Sequence, residues 1–464
     1  MTEGPVERPV LWGRLGEPVS FRPVGGGGAK VALPTRAAQG ERLGGRFTEL
    51  DDAFSEQASL TASLGASDPQ LVVVFEAIDE REDLTAAAAR AGLEVLTETE
   101  RDFDPDSTFP RNTANQDLPV GGCLHAVCVS EQAKANVLRQ WRLWQRSGRV
   151  DRGYAPLKVL FSHLRDVRPW GPADRVRLAN VSRALEGMLP GDHSIEIELW
   201  YRRSEKDRQK AESEVRALVS RSGGEVTSAA QVPEIGYHGM KCTISLDLLV
   251  RLAAGDFDAV AAVKSSAVMY LRVSAQSHSI FQAEPDETDR DIPLPSGEPV
   301  LCVLDGVPAA NHPLLAGRVV VLDPDDLADD TTAESELRRH GTAMASVAVW
   351  GDLSAGDGAA SRPVVVRPIL TPARDTLGRT EELPPAELAP DLMRRVFREI
   401  FGDDSTPGLA PSVVVVNLSV RKPPTWWTPV AWARCYASAR AARAAASRNA
   451  RIPAGRETPS RAST

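Results

Sequence analysis

Asp305 and His340 are the two residues whose types and settings could do chemistry together. Asp305 follows the apolar run Val300 to Leu304 at a Gly turn, so its carboxylate would stand at the carboxyl end of a dry strand. His340 opens HGTAMASVAVW, a run of small residues that predicts a thin helix able to pack centrally. Gly341 would let its backbone pass close to neighbouring strands. Amide hydrolysis by a hydroxyl nucleophile needs a base to take the hydroxyl proton. That base needs a buried acceptor to hold its tautomer and balance the imidazolium that forms. His340 suits the first role and Asp305 the second.

The surroundings of the pair are specific. His312-Pro313-Leu314-Leu315 follows Asp305, and His340-Gly341-Thr342-Ala343-Met344-Ala345-Ser346 follows that. SVVVVNLSV, 412 to 420, is an apolar, β-branched run of the kind found inside a parallel sheet. In these segments, from 296 to about 434, the chain resembles the subtilisin-like serine peptidases (subtilases). Their pattern is a strand ending in Asp, a nearby HP.L, then HGT.[VMA]AS. The resemblance implies a parallel-sheet α/β domain that hydrolyses peptide bonds of a protein or peptide substrate through an Asp-His-Ser triad, with Asp305 and His340 catalytic. It also implies that Ser419 and Val420, at the start of an N.S.G-like segment, pair with substrate backbone, although Arg421 stands where the family has Gly. Some large bacterial subtilases with long amino-terminal extensions are paired with an AAA-type ATPase, so such a partner is implied by resemblance alone. No metal and no cofactor is expected.

GTAMAS, 341 to 346, resembles the family's nucleophile motif with Ala343 in place of the serine. It follows His340, lacks the succeeding Pro and sits at the spacing of the base, so it belongs to the histidine motif. No GTS.A.P motif occurs in the sequence, so the nucleophile serine is expected to be absent and the domain incomplete. From about Ala433 the chain turns to Ala, Arg and Ser with almost no large apolar residue; the segment 435 to 464 reads as a disordered or out-of-frame tail. The competing reading is a truncated, catalytically inactive subtilase serving as a binding or regulatory module. An α/β-hydrolase is disfavoured by the absence of G-x-S-x-G and by the Asp-before-His order.

The elements that must position these residues follow from periodicity. Residues 1 to 65 are rich in Gly and Pro and read as a flexible segment; the run Gly25 to Gly28 before Ala29 and Lys30 lacks the Gly-Lys-Ser/Thr ending of a phosphate loop. Residues 66 to 150 give strand, helix, strand, strand, helix, a ferredoxin-like order, the last helix presenting Ala133, Val137, Trp141 and Trp144 before Gly148. Residues 151 to 190 read as a connector. Residues 191 to 275 complete a βαββαβ order, with Ser204 as a helix cap and Gly223-Gly224 as the stop, similar to the small domain that subtilases carry ahead of the peptidase domain. Residues 276 to 295 form an acidic, Pro-rich linker, and 296 to 434 the partial peptidase domain. Within it, DPDDLADDTTAE has Leu327 and Ala328 where a calcium loop needs a ligand and a turn glycine, so it reads as a solvated acidic loop. Leu392, Val396, Phe397 and Ile400 mark the buried face of a late helix.

Composition sets the outer limits. The chain has 464 residues, 42% hydrophobic, with net charge −9, and its basic residues form no stripe, so nucleic acid is not the expected partner. No signal-peptide pattern or long apolar run occurs, which predicts a cytoplasmic protein that does not enter membranes. Five Cys scattered through apolar runs read as buried thiols.

Overall fold

The computed structural model describes residues 31–78, 85–104, 106–110, 120–185, 188, 190–273, 293–328, 338–351, 358–374, 379–384, 386–403 and 405–418. The protein is mixed α/β with several sheets, one of them parallel. Two compact units divide it: Met1–Ala53 with Val73–Pro169, and Phe54–Val72 with Trp170–Thr464.

The first unit takes in most of α1 (Arg36–Ser63) and β1 (Gln70–Ile78), then α2 (Thr85–Ala91), β2 (Leu93–Phe103), β3 (Val120–Ser130), α3 (Glu131–Ser147), α4 (Ala155–His163) and β4 (Leu164–Pro169). Its sheet has the order β2-β3-β1-β4. The helix α3 begins where the Ser130 hydroxyl accepts the Ala133 N–H and ends at Gly148 in the left-handed conformation, so both ends are satisfied locally. Its buried Trp141 and Trp144 pack with Phe161 of α4 and Phe47 of α1, ring centroids 4.6 to 5.8 Å apart.

Two segments differ from the sequence reading. Residues 36–63 are a 28-residue helix rather than a flexible segment. Leu43, Phe47, Leu50 and Phe54 recur at helical spacing and are buried, while Gly40, Gly44 and Gly45 lower the local propensity that would advertise the helix. Residues 151–190 are not a plain connector: they hold α4 and β4, then α5 (Pro172–Arg175) and α6 (Leu178–Leu185). β4 pairs antiparallel with β1, Val73 opposite Pro169, and so completes the first sheet. A bulge at Glu76/Ala77 breaks the two-residue alternation that would have revealed this pairing.

In the second unit β5 (Asp192–Leu199), α7 (Glu205–Arg221), β6 (Glu225–Val232), β7 (Tyr237–Ser245), α8 (Leu246–Ala253) and β8 (Val268–Val273) build an antiparallel sheet of order β6-β7-β5-β8. Ile195, Ile197 and Leu199 pack on Val215, Leu218 and Val219 of α7 and on Leu249 and Leu252 of α8. The opposite face carries polar groups that satisfy one another: the Tyr237 hydroxyl donates to Glu196 (3.0 Å), and Arg272 pairs with Glu198 (2.7 Å).

The same unit contains β9 (Leu301–Asp305), β10 (Val319–Val321), α9 (Arg339–Trp350), β11 (Val364–Pro368), β12 (Thr371–Arg374), β13 (Arg379–Glu382), α10 (Ala389–Phe401) and β14 (Val415–Leu418). β9, β10, β11 and β14 form a parallel sheet of order β10-β11-β9-β14. Alternation along β9 sends Cys302 and Leu304 to the face covered by Leu392, Val396 and Ile400 of α10. Val303 faces Ala345 and Val349 of α9. Asp305 is two residues beyond Val303 and so shares the α9 face. Among the described strands β14 is at the sheet's edge, with Val414 and Val415 54% and 53% exposed, where the β-branched run had suggested an interior strand.

The acidic loop is not simply solvated. The Asp323 carboxylate accepts the N–H groups of Leu327 (3.1 Å) and Ala328 (2.7 Å), tying off a turn. Asp325 pairs with fully buried Arg367 of β11 (2.6 Å), which also holds Glu399 of α10 (2.9 Å). No helix among the described residues is long and apolar enough to cross a membrane.

Candidate active site

The sheet places Asp305 at the carboxyl end of β9, with no exposed surface, and α9 brings His340 to it in its first turn. His340 Nδ1 and Asp305 Oδ1 are 2.7 Å apart. The close approach depends on glycine: a Cβ on Gly341 would lie 2.4 Å from the Gly306 carbonyl oxygen. Thr342 then fixes the loop after β9, its hydroxyl oxygen accepting the Ala309 N–H at 2.8 Å. Gly306 N–H donates to Asp305 Oδ1 at 2.6 Å, so the carboxylate is held from its own turn as well as by the imidazole.

The electrostatics follow from burial and proximity. The hydrogen bond to Asp305 holds the His340 imidazole above its ordinary value, with burial opposing and the negative charge of Asp305 assisting. The histidine side chain keeps 15% exposure, so the buried acid meets a base that reaches the surface. The arrangement can orient one tautomer and stabilise an imidazolium, the two tasks a hydroxyl-activating base requires.

A third ionisable group was not legible in the sequence. Glu381 of β13 is 8% exposed, its Oε2 3.8 Å from His340 Nδ1. Its Oε1 occupies the space a Cβ on Gly306 would need, at 1.9 Å from that position. Burial, then the charge of Asp305, pushes the Glu381 carboxyl up to about 8, while His340 and the Gly341 N–H pull it back. Nothing in TEELPP marks this glutamate, because its nearness to Asp305 is created by the β12–β13 hairpin folding back over the strand end.

Of the four site residues expected from sequence, Asp305 and His340 are brought together, and Ser419 and Val420 lie outside the described residues. His312 takes no part in the couple; its Nδ1 accepts the Leu314 N–H at 3.3 Å within a local turn. Cys128, Cys242 and Cys302 are buried free thiols and Cys123 is a half-buried one; burial pushes the Cys242 and Cys302 thiols up to about 12, which makes them poor nucleophiles. No known protein family matches the chain, and no characterised protein does.

Proposed function

We propose that Asp305 and His340 are the acid–base couple of a subtilisin-like serine endopeptidase acting on a protein or peptide substrate. The observation that carries this reading is the 2.7 Å contact between His340 Nδ1 and a fully buried carboxylate at the carboxyl end of a parallel strand. The motif order quoted above supplies the family. In this reading His340 takes the proton of a serine hydroxyl, Asp305 holds its tautomer, and Ser419 and Val420 pair with substrate backbone. The antiparallel sheet of the second unit, with both helices packed on one face, supports a ferredoxin-like, prodomain-like role for 191 to 275.

The test is fluorophosphonate labelling of the protein expressed from its own locus, beside the 464-residue chain. The reading predicts label on a serine encoded with this chain, loss of peptidase activity on His340→Ala, and no label on the 464 residues alone. A locus product that folds and is never labelled would replace it with a non-catalytic binding or regulatory module.

A further inference from the structure

We propose that Asp305, His340 and Glu381 form a binding site for a divalent first-row transition ion of the zinc class. The inference goes beyond the peptidase reading, because it needs no nucleophile and only the convergence of three side chains. One donor atom from each residue lies within 4.8 Å of the other two. A tetrahedral zinc ion with bonds of about 2.0–2.2 Å keeps its donors roughly 3.4 Å apart. The contacts from His340 Nδ1, 2.7 Å to Asp305 Oδ1 and 3.8 Å to Glu381 Oε2, bracket that spacing, so side-chain movements of well under the width of an atom would bring three donors to it and leave the fourth position to water.

A second, independent observation points to a ligand. Asp305 Oδ2 and Glu381 Oε2 are both buried without a hydrogen-bond partner, on residues 0% and 8% exposed. An orphaned carboxylate oxygen is costly in a dry setting. A proton relieves one such oxygen; a cation held by both carboxylates offsets the cost of burial on both residues. The donor set of one imidazole nitrogen and two carboxylate oxygens suits zinc, manganese or ferrous ions, whereas calcium and magnesium favour oxygen-only shells. The surrounding groups are already in place: Gly306 N–H holds Asp305, Gly341 N–H holds Glu381, and neither glycine leaves room for a side chain.

Loading the site needs an ionised Glu381 and a free Nδ1 lone pair on His340. The Glu381 proton leaves to solvent, and the Nδ1 proton leaves to solvent from an imidazolium or moves to Nε2 in the neutral ring, so the imidazole no longer donates to Asp305. Resting on the peptidase reading, this makes the metal-loaded and base-competent states mutually exclusive. The experiment titrates the EDTA-stripped 464-residue chain with zinc chloride by calorimetry and examines the product by X-ray absorption. One ion per chain, a shell of nitrogen and oxygen without sulfur, and affinity at least ~10-fold weaker in Glu381→Gln and in His340→Ala support the site. Circular dichroism in EDTA establishes that each variant is folded, and the two substitutions lie on different elements. A sulfur-containing shell, or a folded variant of either kind binding as well as the parent, overturns it. Fluorophosphonate labelling of the locus product in EDTA, beside zinc titration of the 464-residue chain, separates the two proposals. A labelled locus product with no zinc binding removes only the metal site, and zinc binding with a folded locus product that is never labelled removes only the peptidase.

Discussion

Replacing Glu381 by Gln should change how stability depends on pH, and the size of the change follows from its position. In the unfolded chain this carboxyl ionises near 4.5; in the folded protein burial and Asp305 hold its proton up to about 8. Between those values the native state binds more protons than the unfolded state, so stability falls as pH rises, by up to ~5 kcal/mol across the whole interval. Glutamine is nearly isosteric, keeps an oxygen to accept the Gly341 N–H, and has no proton to lose. The variant should therefore match the parent near pH 4.5 and become progressively more stable than it toward pH 8. The assay is urea unfolding at a series of pH values in EDTA, read by hydrogen-exchange mass spectrometry on peptides from β9 and α9, so that the transition belongs to the parallel sheet. Parent and variant curves that stay parallel across the interval would refute the buried, proton-holding assignment.

Other substitutions test neighbouring parts of the account. Gly341→Ala forces a Cβ against the rigid Gly306 carbonyl and should cost ~1–3 kcal/mol, seen as a lower melting temperature together with a disturbed His340 resonance. Arg367→Ala removes a fully buried guanidinium from between Asp325 and Glu399 and should cost ~3 kcal/mol by denaturant melting, less in acid where the two carboxylates are neutralised. On the proposed peptidase reading, Asp305→Asn should lower kcat of the locus product by ~10⁴ with little effect on substrate affinity, as measured by steady-state peptidase kinetics. The raised His340 makes the opposite linkage to a depressed acid: its contribution to stability is complete below pH 6.5 and is lost as pH rises through the higher folded value, an effect Asp305→Asn should abolish in the same melts.

What the sequence disclosed is what local pattern can carry. The apolar run into Asp305 and the small-residue helix at His340 were readable because each is contiguous, and Ala133, Val137, Trp141 and Trp144 were readable because helical spacing repeats. The helix α1 was hidden by three glycines between its buried positions and by the Gly- and Pro-rich residues before it. β4 was hidden because its bulged pairing abandons strict alternation. Arg367 interrupts an otherwise apolar strand, and only the remote Asp325 and Glu399 explain its burial. Glu381 is the clearest case: its role depends entirely on a hairpin returning to the end of β9, and no spacing rule reports such a return.

The most direct test of the central claim is a nitrogen-15 and proton NMR titration of His340 in the EDTA-treated chain, beside Asp305→Asn. The account predicts an imidazole that titrates above 6.5, with a far-downfield Nδ1 proton that disappears in the variant as the midpoint falls. An imidazole titrating at or below 6.5 in the parent, unmoved by the loss of Asp305, would contradict it.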